Sequence, residues 1–427
     1  MKNIVNPVAV LIFTISFGLT YGLGKFYDHY RMLDQINTVF DADAPYYLGG
    51  FASGWMEPSF RHPFAGTAFG LPIRAVSKLT NKITGADELN TRRELALCVV
   101  PLFQGAKNAI LYLLLVRIGV TTWQALILCC LNLFALSTVT VGSVPESFAI
   151  SSMTIVLFAW LMTRDFNPSS RAPSWSWILS GGFAIGITIT NVIPLTIFHL
   201  LGRRFGQAKT WRDSLRQSAI VSALSLILAF MIGAATSIAF SYKPANLLPY
   251  ADKGGLGLWV QKQRPAEELM IAGVSTFAGV IQPEVAPNES LFGTSIDENN
   301  KPSILVMFTY AKRRLNNWVA LSWALFFTGL LLVGAWRSYF HGLVWSTLII
   351  GSVALLVFNF TLHMFFYLHD MFLYASHWQA PMIFSLAGLA LTKSRNDLGP
   401  PVLVALTLAS VVGSSIFIAK VIATMAN

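Results

Sequence analysis

The feature that most constrains this chain is a series of long apolar runs, which recur along most of its 427 residues. About 20 consecutive apolar residues are enough to cross a bilayer as a helix. Charged residues make up 12% of the chain, whereas soluble domains carry about 25%. The sequence therefore predicts an all-α polytopic membrane protein, and it excludes a disordered chain.

Eleven segments are predicted as spans, and two of them are too short to cross a bilayer in the ordinary way. The short pair, Trp175–Thr188 and Val192–Leu201, is interrupted at Asn191. It is either one kinked helix or a hairpin of two half-helices. The other predicted spans are Pro7–Leu23, Leu95–Val116, Trp123–Val141, Ser147–Met162, Ser218–Phe240, Trp318–Gly334, Leu343–Phe360, Trp378–Leu391 and Pro401–Ile422.

Positive charge distinguishes between the two forms of the short pair. Segment 203–216 is rich in Lys and Arg, as cytoplasmic loops are, whereas the turns at 142–146, 189–191 and 361–377 have neither residue. This alternation requires the short pair to cross twice, as a hairpin. The net charge of +10 is thus explained by membrane topology, and no clustered basic face predicts nucleic-acid binding.

The same topology gives one integral membrane domain over residues 1–427 with two long outer loops, at 25–94 and 241–317. The first loop contains an amphipathic segment, Pro72–Ile83, in which Arg74, Lys78 and Lys82 form a basic stripe. Such a helix is typical of the membrane surface. The polar segments thus gather on one side of the membrane.

The sharpest motif, Asp41-Ala42-Asp43, lies in the first outer loop. Pro45 favours extended geometry in the residue before it, Ala44. In an extended segment alternate residues face the same side, so Asp41 and Asp43 would do so. The two carboxylates can hold a divalent cation, or one can act as a general base whose pKa is raised by the other. Alternatively, Asp43 caps a short helix that starts near Pro45.

Further polar residues lie in the predicted outer loops and in the membrane. Arg61 and His62 can bind a phosphate, or they can form an ordinary turn at Pro63. An intramembrane ionisable residue such as Lys107 indicates either function or a buried partner. Glu146 can serve the site or cap the N-terminus of a helix. Other candidates for binding a donor phosphate or substrate are Arg314, His369, Asp370 and His377.

Taken together, these features resemble the GT-C superfamily of polyprenyl-phosphate-dependent membrane glycosyltransferases. The resemblance rests on Asp41-Ala42-Asp43 soon after the first span, on Arg61-His62-Pro63, on the basic amphipathic segment and on the short hairpin. It covers the architecture over about residues 1–390. The sequence departs from some branches, since its acidic motif after the first span is Asp41-Ala42-Asp43 and not an adjacent Asp-Glu pair, and since it has no large C-terminal soluble domain.

The resemblance implies an inverting transfer of a sugar from a polyprenyl-phosphate donor to an acceptor hydroxyl on a glycan, lipid or protein. It also implies a bacterial inner membrane location with the site on the outer face. Asp43 or Asp41 is then the expected general base. No cofactor is required, although a divalent cation remains compatible with the two carboxylates.

Two other functions fit the sequence. A transporter or flippase for a lipid-linked or anionic solute would use Lys107 and the broken hairpin as its binding site. A non-catalytic assembly subunit would leave the two aspartates idle. The clustering of polar residues on one side favours the transferase, because a transporter needs groups that are reachable from both sides.

Overall fold

A computed structural model describes residues 6–34, 44–53, 58–59, 61–240, 247, 292–296, 302–306, 318–366, 376–391 and 397–426. These residues form α-helices, short 3₁₀ and π turns, and one antiparallel hairpin. The helices are α1 Pro7–His29, α2 Ala44–Ser53, α3 Ala65–Thr84, α4 Glu88–Arg117, α5 Thr122–Leu133, α6 Leu136–Val141, α7 Ser147–Arg164, α8 Ser174–Ile187, α9 Val192–Leu201, α10 Trp211–Ala239, α11 Trp318–Tyr339, α12 Leu343–Phe366, α13 Ser376–Leu386 and α14 Gly399–Ala426.

Six helices of the described residues are long and apolar enough to cross a membrane. They belong to α1, α4, α7, α10, α12 and α14, and many large apolar side chains are exposed on the surface. Lipid-facing helices expose such side chains, so the chain is an integral membrane protein. The prediction of eleven spans is not confirmed, because five of the predicted segments are not among these six.

The predicted span Trp123–Val141 is wrong as a single helix. The chain breaks after α5, where Ala135 is extended, and α6 follows as a short separate helix. The Phe134 carbonyl at the break accepts hydrogen bonds from Ser410 Oγ at 3.0 Å and from Ser414 Oγ at 2.6 Å. Hydroxyls of α14 thus replace the helical bond that the break removes.

The short pair α8 and α9 folds back on itself, as the hairpin interpretation predicts. Ser225 Oγ donates to the Ile178 carbonyl at 3.2 Å, and Thr196 Oγ1 lies 2.7 Å from the Ser222 hydroxyl. Residues 178 and 196 therefore contact neighbouring turns of α10. In one continuous helix they would stand about 27 Å apart, at 1.5 Å per residue.

The first and fourth helices extend beyond their predicted ends. α1 continues to His29 and α4 begins at Glu88, so both ends lie inside the predicted loop 25–94. Arg93 on α4 donates through Nε to Asp28 Oδ1 at 2.8 Å, and Lys25 pairs with Glu94. Charges that seemed to mark a loop are thus paired between two antiparallel helices.

The arginine-bearing turns lie together at one end of the bundle, here called the arginine-rich end. It includes Arg117, Arg164, Arg203 and Arg337. Trp345 Nε1 joins the start of α12 to the turn after α4, and Arg337 pairs with Asp397. The turns around 142–146 and 187–191, which have no Lys or Arg, lie together at the opposite end, which we call the site end.

The second predicted outer loop contains a short antiparallel hairpin, whereas the other elements of the described residues are helical, as the all-α prediction requires. Strand β1, Phe292–Ile296, pairs with β2, Pro302–Val306, and Phe292 stands opposite Val306. The five residues between them include Asp and Asn, which favour turns, and β2 carries β-branched side chains.

The predicted amphipathic segment is part of α3. Its Ile73 is buried, whereas Val76, Leu79 and Ile83 are exposed on the protein surface. The exposed apolar stripe fits a helix that lies against a membrane surface.

The grouping of the turns predicts which positions share a side of the membrane. Asn90 at the site end and Lys209 at the arginine-rich end are both exposed. A membrane-impermeant thiol reagent added outside cells should label Asn90→Cys and not Lys209→Cys, because loops rich in Lys and Arg stay cytoplasmic. Labelling of both positions from the same side would contradict the topology.

Candidate functional site

The break between α8 and α9 leaves backbone groups without helical partners, and the segment Arg61–Phe64 satisfies them. The Phe64 N–H donates to the Gly186 carbonyl at 3.0 Å, and the Ile189 N–H donates to the Arg61 carbonyl at 3.0 Å. Non-helical backbone at membrane depth is tolerated only when protein covers it in this way. The first loop is therefore fixed onto the apex of the hairpin.

Phe64 secures this docking through its side chain. It is buried, and its ring occupies the space beside Gly186 where any other residue would place a Cβ. That Cβ would stand only 1.8 Å from Phe64 Cε1. Gly186 is thus required for the close approach of loop and helix.

His62 lies at the centre of the docked segment, with both ring nitrogens engaged. Nδ1 is 2.6 Å from the Ile187 carbonyl, and Nε2 is 3.2 Å from the Tyr47 hydroxyl. Burial lowers the pKa of His62 to about 4; the Ile187 hydrogen bond opposes this shift and the neighbouring Arg61 adds to it. The imidazole is therefore neutral at physiological pH. Because a carbonyl only accepts, Nδ1 carries the proton and Nε2 accepts from Tyr47.

Tyr47, His62, Glu146 and Ser147 form what we call the polar end cluster. The Glu146 carboxylate accepts from the Ser147 N–H at 3.0 Å, and the hydroxyl oxygens of Tyr47 and Ser147 are 3.3 Å apart. Burial raises the pKa of Tyr47 well above its usual value, and the nearby Glu146 raises it further. Tyr47 thus stays protonated and connects His62 on the loop with Ser147 on α7.

Glu146 is the N-cap of α7, so the capping interpretation is confirmed. The helix dipole favours its negative charge at this position. Capping does not remove it from the site, because the same carboxylate is buried next to Tyr47 and Ser147.

His377 also lies at the site end, in the first turn of α13. Ser152 Oγ donates to the Ser376 carbonyl at 2.7 Å, and the ring centroids of Phe148 and His377 are 5.9 Å apart. Lys107 on α4 is within electrostatic range of His377. The start of α13 is therefore held beside the first turns of α7, the helix that begins directly after Glu146.

Lys107 is 1% exposed and has a neutral partner. Its Nζ donates to Gln379 Oε1 at 3.0 Å, and the Gln379 amide nitrogen donates to Ser137 Oγ at 2.6 Å. Thr138 Oγ1 is 2.9 Å from the same Gln379 oxygen. The buried-partner interpretation of Lys107 is thus the one that the geometry supports directly.

The sequence candidates fall into two groups. The described residues place His62, Glu146 and His377 at the site end, with half-buried Arg61 on the docked loop and Lys107 buried in α4. The others lie outside the described residues and stay predictions: Asp41, Asp43, Arg314, His369 and Asp370.

The helix start that was predicted near Pro45 is confirmed, because α2 begins at Ala44, directly after Asp43. Ala44 itself is buried. Whether Asp43 caps this helix or acts as a base is a question about a residue outside the described ranges.

Sequence reasoning missed Tyr47, Ser147 and Gln379. Gln379 carried a signal, since it is a polar residue inside a predicted span. Tyr47 and Ser147 carried none, because they meet only through the packing of α2 on α7. Among the described residues, no group of three His, Cys, Asp or Glu side chains has a metal-binding arrangement.

Comparisons with known proteins do not assign the chain to a family. No protein-family model matches the chain, and no curated protein sequence is significantly similar to it.

The docking of Phe64 on Gly186 predicts a large effect of one methyl group. Gly186→Ala should lower the free energy of unfolding by about 1–3 kcal/mol, the usual cost of overpacking. Gly18→Ala is the matched control, because its Cβ would meet nothing within 4 Å in the same kind of helix. Thermal unfolding in detergent measures both, and equal midpoints for the two variants would contradict the docking.

The contact between Lys107 and Gln379 predicts coupling between α4 and α13. Gln379→Leu should cost about 1.5–3 kcal/mol, the range for hydrogen bonds to a charged group. Lys107→Met with Gln379→Leu should recover much of that loss, since no buried charge is then left unpaired. A double-mutant cycle by thermal unfolding tests this, and additive single effects would exclude the coupling.

Proposed function

We propose that this chain is a membrane glycosyltransferase, which transfers a sugar from a polyprenyl-phosphate donor to an acceptor hydroxyl with inversion. One observation carries the proposal. The segment Arg61–Phe64 is docked on the hairpin apex, which brings His62 to Tyr47 in α2. Through Tyr47, His62 is connected to Ser147 and Glu146 at the start of α7, and α2 itself begins directly after Asp43. Polar groups of four separate chain segments thus converge.

The donor phosphate needs positive charge or hydrogen-bond donors to stabilise it as it leaves. Both ring nitrogens of His62 are already engaged, so His62 positions the loop rather than binding the phosphate itself. Arg61, next to it on the docked segment, is therefore the preferred phosphate ligand. His377 adds a polar group at the neighbouring start of α13, whereas Lys107 is bonded to Gln379 and holds α13 in place instead of binding the phosphate.

The acceptor hydroxyl needs a general base. Asp43 is the preferred base and Asp41 the alternative, because both precede α2, whose Tyr47 belongs to the polar end cluster. Among the carboxylates that the structure describes, Glu146 is the next candidate for the base. The hydrogen bond that it accepts from the Ser147 N–H stabilises its ionised form, which makes it a weaker base.

The location follows from the distribution of charge. The arginine-rich end faces the cytoplasm under the positive-inside rule, so the site end faces the periplasm of a bacterial inner membrane. A lipid-linked donor would reach it from the outer leaflet, and the acceptor is a glycan, lipid or protein.

A transporter or flippase is the alternative, and two observations weigh against it. The ammonium of Lys107, its expected binding group, is buried and bonded to Gln379. The Phe64 ring lies directly against α8 at the hairpin break, the other expected binding element. A solute would have to displace both contacts before it could pass.

The test of the proposal replaces the candidate bases one at a time in the full-length protein. Asp43→Asn should reduce transfer by about 10²-fold or more, the usual share of general-base catalysis. The thermal midpoint should change little, because Asn keeps a capping oxygen. Transfer is measured with a panel of synthetic short-chain polyprenyl-phosphate monosaccharides.

Asp41→Asn and Glu146→Gln are run beside it. A larger loss in Asp41→Asn would make Asp41 the base. Full activity in both aspartate variants, together with a loss in Glu146→Gln, would move the base to α7. If the well-folded wild type transfers sugar from none of these donors but moves the same lipids across the membrane of reconstituted vesicles, the protein is a flippase and the transferase proposal is wrong.

A further inference from the structure

A cavity of about 660 Å³ opens at the arginine-rich end, far from the polar end cluster along the helices. This volume lies within the range of small-molecule sites. It is formed where α4 ends, where the chain leaves α7 and where α12 begins. Its polar lining includes Arg117, Thr163, Asn167 and His341, and its apolar lining includes Phe166 and Trp345.

The position of this cavity places it at a membrane interface. Arg117 ends one candidate span, Arg164 ends a second, and Leu343 begins a third. The ends of spans lie where the hydrocarbon core meets the headgroups. Leu343, which lines the cavity, is 56% exposed, so lipid can approach it from the side.

Arg117 lines this cavity, and Arg164 is held next to Arg117 just outside the lining. Arg117 Nη2 donates to Ser170 Oγ at 2.8 Å, and Arg164 Nε donates to the Ser170 carbonyl at 2.7 Å. Arg164 repels Arg117 electrostatically. The residues that line the cavity, all within the described ranges, include no Asp or Glu. Arg117 can thus bind an anion in the cavity, and the neighbouring charge of Arg164 adds to the positive potential there.

The carboxylate of Asp165 compensates this charge only in part. Asp165 follows Arg164, but its side chain lies against Gly202 in the π-helical turn and does not line the cavity. Burial raises the pKa of Asp165 to about 6, and the surrounding arginines lower it from a still higher value. An anion in the cavity would relieve the remaining repulsion.

The first turn of α12 supplies hydrogen-bond donors to the same space. Gly342, Leu343, Val344 and Trp345 all line the cavity. The first helical bond of this turn runs from the Ser346 N–H to the Gly342 carbonyl. The N–H groups before it have no helical acceptor, and such groups favour phosphate.

We propose that this cavity binds the phosphate of an anionic lipid headgroup from the leaflet at the arginine-rich end. Arg117 and the first turn of α12 hold the phosphate, and the apolar walls at Phe166 and Trp345 accommodate the glycerol and upper acyl chain. The site is separate from the proposed transfer reaction and does not depend on it. Basic pockets between span ends are a general means of binding such lipids.

The experiment titrates the detergent-solubilised full-length protein with dioctanoyl phosphatidylglycerol and follows the thermal midpoint. A ligand that binds the folded state raises this midpoint. Dioctanoyl phosphatidylcholine controls for the amphiphile, and inorganic phosphate tests whether a free anion is enough. Arg117→Gln removes the main ligand. Asn167→Asp adds a negative charge to the cavity and keeps the oxygen that accepts from the Ser169 N–H.

Arg212→Gln is the matched control, because it also removes one positive charge, at an exposed position outside the cavity. Wild type and Arg212→Gln should respond at the same phosphatidylglycerol concentration. Arg117→Gln should need about tenfold more, as expected for the loss of a charged hydrogen bond. Asn167→Asp should also need about tenfold more, because its carboxylate repels the phosphate.

An equal response to inorganic phosphate would keep the phosphate site and assign it to a soluble anion. The same response in all four proteins, or a response to phosphatidylcholine as strong as to phosphatidylglycerol, would overturn the proposal. If Arg117→Gln does not fold, the response of Asn167→Asp alone tests the proposal, and a response equal to that of wild type would overturn it.

Discussion

The interruption of α8 and α9 in apolar surroundings is the constraint on which the site depends. Backbone groups that lack helical partners cost several kcal/mol each away from water, so something polar must reach them. Asn191 adds a second hydrogen bond of 2.9 Å to the Ala184 carbonyl, which already accepts from the Thr188 N–H. The segment Arg61–Phe64 supplies partners for the Gly186 and Ile187 carbonyls and for the Ile189 N–H. The position of His62 is thus a consequence of a hydrogen-bonding requirement elsewhere in the chain.

A second set of polar contacts holds the surrounding helices in register. Asn108 donates to Ser16 Oγ at 2.9 Å and accepts from Asn132, which joins α4 to α1 and α5. One residue earlier, Lys107 joins α4 to α13 through Gln379. Apolar side chains alone allow helices to slide in lipid, whereas paired polar groups fix one arrangement. These hydrogen bonds therefore fix the positions of the helices that carry the polar end cluster.

The class of fold and many of its features could be predicted from the sequence. Apolar runs of sufficient length predicted the six candidate spans, and the alternation of turns with and without Lys and Arg predicted the hairpin. The break at Phe134 could not be predicted in this way, because its compensation comes from Ser410 and Ser414, far along the chain. The paired ends of α1 and α4 also looked like loop, since Lys25 and Glu94 are polar residues whose partnership requires the folded structure.

The sequence by itself determined that the chain is a helical membrane protein and that polar residues such as His62, Glu146 and Lys107 stand out from an apolar background. Composition and periodicity carry that information because the bilayer penalises every charge and every open backbone group. Only the tertiary structure decided which of these residues meet. His62 joins Tyr47 near Glu146, whereas Lys107 joins Gln379, because such pairings depend on how distant helices pack and not on local sequence.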